Sequence, residues 1–317
     1  MELRHLELMR DLEHYGSLTA VARATFRTPS AVSQQLRTAQ RDLRVPLVEP
    51  DGRGVRLTEA GRILAEGCTD VAAALERVQA RWDAFRDDLS GTVSIASLPS
   101  AATFLMARVF RALDDTGIEI VIHDHDVAEA QFASLAAEVD IVIGHSLTGR
   151  RPAGTDGLTV VALAREPLDV AMAAGHRLAG QARIRPDDLL DCEWIGVPVG
   201  YPFDTVRLAI ESATGASLRI QQRLRDNRLI ESLVASSECV AILPRFTTPN
   251  GGGLVLRELE GVPATRYVSA ILRPDKAERR AVRRVLDELR RAGAAGPLDY
   301  ASVRSVAEST DRVEPGS

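Results

Sequence analysis

Between Pro29 and Leu43 two kinds of side chain keep to separate sides of one helical period. Ser30, Ser33, Gln34, Arg37 and Arg41 share one face, while Val32, Leu36, Ala39 and Leu43 fall at i, i+4, i+7 and i+11 on another. Hydroxyl, amide and guanidinium groups on an open helix face are the donors and acceptors that read base edges and hold phosphates. The N-terminal end of such a helix comes nearest the bases, so Ser30, Ser33, Gln34 and Arg37 rank above Arg41. Thr28-Pro29, a hydroxyl cap followed by proline at the first helical position, starts the helix and belongs to the same contact surface. Seven arginines face three acids between Arg23 and Arg56, although the whole chain carries a formal charge of -5. An ordinary solvated helix face remains the competing reading of the pattern.

The elements that must position this face are legible on both sides. Leu6, Met9 and Leu12 give a first helix its apolar stripe, and Gly16 ends it. Ser17 or Thr19 caps a second helix, whose Ala20, Ala22 and Ala24 permit close packing. After Leu43, VPLV, the Asp51-Gly52 turn and VRL read as a two-stranded wing, from which Arg53 can reach a phosphate or the minor groove. Thr58 then opens a long helix to about Leu89. Its apolar residues Leu64, Cys68, Val71, Leu75, Val78, Trp82, Phe85 and Leu89 are spaced 4, 3, 4, 3, 4, 3, 4. A lone surface helix drifts off so strict a heptad, so Val71, Leu75, Val78, Trp82 and Phe85 are expected to pair two chains. Packing against the helix's own domain is the alternative.

From Thr92 the pattern changes to strands alternating with helices, which predicts an α/β fold with mainly parallel sheets. Strands are expected at TVSIAS, IEIVIH, VDIVIG, LTVVAL, LDVAMA, EWIGVP, LRIQQRL, CVAILP and YVSAILRP, with a final helix from about Asp275 to Arg291. Ligands of such folds sit at carboxyl ends of strands, where helix N-termini aim N–H groups at them. Three loops fit: one carrying Ser97 and Ser100, one carrying His145 and Ser146, and one carrying Tyr201 and Phe203. Hydroxyls at helix starts suit a small anionic metabolite, and the two aromatic rings suit an apolar part of it. Each of these residues also has a purely local reading as a helix cap.

Catalytic and metal chemistry find little support. No G-x-S-x-G, Walker loop or G-x-G-x-x-G is present, so no catalytic residue and no cofactor is expected. His123-Asp124-His125-Asp126 is the one cluster of metal-ligand types, and a polar strand end explains it, so no metal site is assigned. Gly251-Gly252-Gly253 reads as a flexible loop. Cys68, Cys192 and Cys239 are far apart and suit buried thiols in a reducing compartment. With no signal-peptide pattern at the N-terminus and no apolar run of membrane length, a cytoplasmic protein without a membrane partner is expected.

Residues 3 to 65 resemble the winged helix-turn-helix of the LysR-type transcriptional regulators. The resemblance rests on Gly16-Ser17-Leu18, Ala20 and Ala22, the run Thr-Pro-Ser-Ala-Val-Ser-Gln-Gln-Leu at 28–36, Leu47, and Val55-Arg56-Leu57-Thr58-Glu59-Ala60-Gly61. Beyond residue 65 the likeness is one of architecture, to about residue 292. The usual Leu-Phe-x-Arg after the recognition helix is here Leu47-Val48-Glu49-Pro50, which removes one customary contact. The resemblance implies a mainly α winged helix-turn-helix over 1–58, a linker and dimerisation helix over 59–90, and a two-lobed, periplasmic-binding-protein-like α/β effector domain over 91–292. Lobe I would take about 91–163 and 268–292, and lobe II about 164–267. A weakly ordered tail is expected over 293–317.

Together these features predict a ligand-responsive regulator, not an enzyme. Its expected partners are double-stranded operator DNA, a small-molecule effector between the lobes, and further copies of itself. The linker helix would make a homodimer, and the resemblance implies a homotetramer and a contact with RNA polymerase. The rival from another class is a small-molecule binding protein whose N-terminal domain serves protein contacts.

Overall fold

The computed structural model describes residues 1–296 except Arg53, Asp87 and Asp126. The expectations for Arg53 on the wing, for Asp126 in the histidine cluster and for most of the tail therefore lie outside the described residues.

Three short helices open the chain: α1 (Leu3–Tyr15), α2 (Leu18–Ala24) and α3 (Pro29–Leu43). Gly16, at φ 66°, closes α1 with its N–H on the Leu12 carbonyl, and the Ser17 hydroxyl caps α2 by accepting from Ala20 N–H at 3.1 Å. Thr28 caps α3 in the same way through Ala31 N–H at 3.2 Å. Val32, Leu36 and Ala39 of α3 are buried with Leu8, Met9, Leu12 and Val21, which builds the first core. The wing is the antiparallel pair β1 (Val48–Asp51) and β2 (Gly54–Leu57). It docks on the helices where Val55 N–H meets the Gly16 carbonyl at 2.9 Å. A Cβ on Gly54 would lie 2.4 Å from that carbonyl oxygen, so only glycine permits the approach.

The turn between α2 and α3 is a Schellman closure: Arg27 N–H bonds the Ala22 carbonyl at 2.8 Å and Phe26 N–H bonds that of Arg23 at 3.4 Å. Its left-handed position, normally glycine or asparagine, holds Phe26 at φ 54°. For a bulky L-residue this backbone costs about 1–2 kcal/mol.

Helix α4 (Glu59–Phe85) starts at the Thr58 cap and ends four residues before the expected Leu89. The Asp88 carboxylate accepts both the N–H and the hydroxyl of Ser90, a local turn that stops the helix, and Leu89 packs on the next core instead. Leu64 and Cys68 bury the start of the heptad stripe in the first core. From Val71 to Phe85 the same stripe is exposed. The opposite side of α4, at Ala73 and Ala80, is buried.

The remaining elements are β3 (Ser90–Ser97), α5 (Pro99–Leu113), β4 (Gly117–Asp124), a 3-10 turn at Glu129–Gln131, α6 (Phe132–Leu135), β5 (Ile141–Ser146), β6 (Thr159–Ala173), β7 (Arg183–Ile184), a 3-10 turn at Pro186–Leu189, β8 (Glu193–Gly196), α7 (Asp204–Thr214), β9 (Arg219–Arg223), α8 (Asn227–Ala235), β10 (Ala241–Pro244), β11 (Leu254–Leu259), β12 (Thr265–Leu272), α9 (Pro274–Glu278) and α10 (Arg280–Ala294). Their apolar residues form two further cores, one around β3, α5, β5 and α10, the other around β8, α7, α8 and β10. Helix α4 lies against α9 of the first of these, with Arg77 3.4 Å from Glu278 and Arg280 donating to the Asp83 and Asp88 carbonyls.

The sheet corrects the expectation of mainly parallel pairing. Its order is β4-β3-β5-β12-β6-β11-β7, with β10 also on β6. Pairing is parallel for β3 with β4 and β5, β11 with β7, and β8 with β9, but antiparallel for β12 with β5 and β6 and for β6 with β10 and β11. LTVVAL and LDVAMA, expected as two strands, are the single strand β6, because β12 pairs along it from Thr159 to Pro167. Strand β6 runs from one core into the other, with Leu163 in the first and Leu168, Val170, Ala171 and Met172 in the second, while β12 packs in the first. Alternation of strands and helices carries no record of which strand returns antiparallel to its neighbour.

Two smaller differences follow local chemistry. The expected final helix is broken at Arg279, held extended while its guanidinium binds Asp140 at 2.6 Å and the Thr92 carbonyl at 3.0 Å. Gly251, Gly252 and Gly253 all have positive φ (147°, 62°, 97°) and turn the chain into β11, a strand the sequence pattern did not reveal.

Candidate functional sites

The first site is the outer end of α3. Thr28, Pro29, Ser30, Gln34 and Arg37 are exposed, and Ser33 is half-buried. The structure brings them together in pairs: the Thr28 and Ser30 hydroxyls are 3.0 Å apart, and Arg37 donates to the Ser33 hydroxyl at 3.0 Å. Gln35 turns inward and donates to the Arg4 carbonyl at 2.7 Å, so it belongs to the packing and not to the open face. Arg41 lies beside Asp42 at 3.4 Å and Arg56 beside Glu49 at 3.1 Å, which neutralises part of the local charge. Arg23 and Arg27, in and just after α2, are exposed and have no ion pair among the described residues. They extend the cationic surface around the start of α3.

The second site is a cleft of about 280 Å³ between the two α/β cores. Ser100, His145, Tyr201 and Phe203, expected on three separate loops, all line it. Ser97 and Ser146 do not. Ser97 is buried with its hydroxyl on the Leu98 carbonyl, and Ser146 is buried with its hydroxyl 2.9 Å from that of Thr148. Both close local turns.

Arg266, which no motif in the sequence marks, also lines the cleft. It is fully buried, and so is its partner Glu166 directly across from it on the β6–β12 ladder. Arg266 Nε donates to Glu166 Oε2 at 2.6 Å, and Nη1 donates to the Ser100 hydroxyl at 2.8 Å. Nη2 lies 2.5 Å from the same Glu166 oxygen, without hydrogen-bond geometry to it or to any other described acceptor. The second Glu166 oxygen accepts Phe246 N–H at 2.6 Å. Phe203 places its ring 5.5 Å from the guanidinium carbon, a cation–π contact that spans the cleft. The one signal in the sequence was an arginine inside an otherwise apolar strand, which the abundance of arginine in this chain obscured.

Arg225 and Arg228 add two more cations on the opposite wall; Arg225 stacks 5.1 Å from the Tyr201 ring and Arg228 pairs with Glu231 at 2.8 Å. The helix ends differ. Asp226 caps α8 through Arg228 and Leu229 N–H, while Leu98 offers α5 no capping side chain. The uncapped start of α5, beside Ser100, also favours negative charge.

His145 is buried beside Arg266, its Nδ1 3.5 Å from Nη1. Burial first, and the neighbouring guanidinium second, push its pKa well below the ordinary imidazole value. It stays neutral when folded, whereas in the unfolded chain it takes a proton below about pH 6.5. The unfolded state thus binds more protons there, and stability falls as the pH drops through that value. A series of melting curves between pH 8 and 5 should show this decline, and His145→Asn should make it shallower. Equal slopes for the two proteins would remove His145 as a cause.

His123 and His125 have ring centres 6.4 Å apart, and among the described residues no group of three or more metal-ligand types occurs. All three cysteines are buried and free, and no helix of the described residues is long and apolar enough to cross a membrane.

Comparison with known proteins bears on both sites. Residues 3–62 match the family described as bacterial regulatory helix-turn-helix protein, lysR family, and residues 86–294 match the LysR substrate binding domain. A probable RuBisCO transcriptional regulator of Emiliania huxleyi is 24% identical over 86% of this chain and 89% of its own length. The transcriptional dual regulator GltC of Bacillus subtilis is 23% identical over 78% of this chain and 82% of its own. Among solved structures, the full-length regulator LysG of Corynebacterium glutamicum with bound effector Arg has a TM-score of 0.60 at 18% identity, covering 94% of this chain and 99% of that one. Full-length CbnR complexed with its target DNA has a TM-score of 0.52 at 19% identity, covering 92% and 100%. At these identities the structures speak for the fold.

Proposed function

We propose, from the premise that this chain belongs to the LysR family of bacterial transcriptional regulators, that α3 reads operator DNA under the control of a small anionic metabolite held between the two lobes. Residues 1–58 would form the DNA-binding domain, 59–90 the linker and 91–292 the effector domain. The observation that carries the reading is the open face of α3. Ser30, Gln34 and Arg37 are exposed on a helix whose other side is packed, and Ser30 and Arg37 bond only to Thr28 and Ser33 of the same surface. Thr28, Pro29 and Ser33 complete the surface, and Arg53 on the wing would add a phosphate contact.

Two chains joined along Val71, Leu75, Val78, Trp82 and Phe85 would present two such helices to half-sites about 34 Å apart or a multiple of it. In the cleft, Ser100 and Arg266 would take the anionic end of the ligand, with Tyr201 and Phe203 against its apolar part. The ligand acts on transcription by binding one arrangement of lobes and subunits better than another. Assembly of two dimers into a tetramer and a contact with RNA polymerase complete the proposal.

The test is binding to the DNA upstream of its own gene as salt is varied. A steep loss of affinity with salt is expected, because phosphates release counterions when arginines replace them. Arg37→Ala should cost about 1–3 kcal/mol, the range for one bidentate base contact. Salt-insensitive binding, or an Arg37→Ala protein that binds like the wild type, would overturn the assignment of this face.

A further inference from the structure

We propose that Phe26 is an apolar DNA contact that reads thymine methyl groups beside the bases contacted by α3. The inference rests on α3 being the recognition helix and adds a residue to it. Phe26 is 98% exposed, more than any other large apolar side chain of the described residues. It also occupies the left-handed position of the Schellman turn, φ 54°, where glycine or asparagine would relieve backbone strain. Folding alone therefore gains nothing from phenylalanine here: the ring packs on nothing and the backbone is strained to present it.

Its surroundings identify the occupant. Phe26 stands two residues before the Thr28 cap, at the end of α3 that lies nearest the bases in helix-turn-helix complexes. Arg23 and Arg27 flank it, both exposed and without an ion pair among the described residues. The ring sits among exposed cations that suit phosphates. Between phosphate-binding arginines and the base-reading face, the apolar groups within reach of a phenyl ring are the 5-methyl groups of thymine in the major groove.

The experiment compares wild type, Phe26→Asn and Arg37→Ala on a duplex spanning the region upstream of the gene. It repeats the measurement on the same duplex with deoxyuridine replacing thymine. Asparagine accepts the left-handed backbone, so the Phe26→Asn melting temperature should equal or exceed that of the wild type. Its Kd for the thymine duplex should rise about tenfold, in the range of one lost base contact. Deoxyuridine should weaken the wild type and leave Phe26→Asn nearly unchanged. Phe26→Leu, which keeps an apolar side chain, should retain part of the difference.

A Phe26→Asn protein that binds the thymine duplex as tightly as the wild type would overturn the proposal. A wild type indifferent to deoxyuridine would overturn it as well. If Arg37→Ala loses affinity while Phe26→Asn does not, only this inference fails. If neither loses affinity, the reading of α3 itself fails.

Discussion

Arg266→Met is expected to lower the stability of the effector domain by about 3–5 kcal/mol and to abolish ligand binding in the cleft. Breaking a buried ion pair by removing one partner leaves the other charge uncompensated in a medium that solvates it poorly, which gives that range. Here the abandoned partner is Glu166, fully buried, with one oxygen on Phe246 N–H and the other deprived of the guanidinium. Ser100 loses its donor in the same step, and Phe203 loses its cation–π contact. Denaturation followed by fluorescence should report the change, since Trp194 is buried in the lobe II core. The double variant Arg266→Met, Glu166→Leu should regain much of the stability but not the ligand, because a buried pair replaced by apolar residues is often neutral or better. An Arg266→Met protein that unfolds like the wild type would show that the pair is not structural.

The second large effect belongs to the linker. Val78→Glu or Phe85→Glu is expected to yield monomers by light scattering and to lower operator affinity about 10²–10⁴-fold, as the second half-site is lost. Val78 is 61% exposed and Phe85 81%, on the same stripe as Val71, Leu75 and Trp82. Burying each such side chain in a partner stabilises by about 1.5–3 kcal/mol, and twofold symmetry counts each one twice. A carboxylate in that seam has no cation waiting for it on the stripe itself. The first core also carries none of these five residues, so a monomer should keep its winged domain intact. Variants that remain dimeric would mean that α4 is not the pairing element.

These two predictions come from parts of the molecule that were unequally legible. The helix-turn-helix could be read almost residue by residue, because its determinants are local. Ser17, Thr28 and Thr58 each cap a helix through an amide three residues on, and Val32, Leu36 and Ala39 fall on the buried side of a period that the chain itself displays. The heptad was equally visible, but not its division. Leu64 and Cys68 serve the chain's own domain, while the residues from Val71 onward are left exposed. Phe26 carries no such mark, because a lone aromatic in a turn has no periodicity.

The cleft shows the limit most clearly. Helix starts after strands pointed to Ser100, His145, Tyr201 and Phe203, but the same reasoning admitted Ser97 and Ser146, whose hydroxyls are used up within their own turns. Arg266 was invisible because its role depends on the register that sets it opposite Glu166, a hundred residues away.

By itself the sequence determined the order of parts, the faces of the helices and the family to which the chain belongs. The first two follow from periodicity, capping and turn chemistry within a few residues, and the family from the resemblance of its motifs. Only the tertiary structure decided which strands run antiparallel, that β6 passes from one core into the other, and that a buried arginine lines the cleft. Those facts depend on long-range pairing and on desolvation, neither of which leaves a mark in the local pattern of residues.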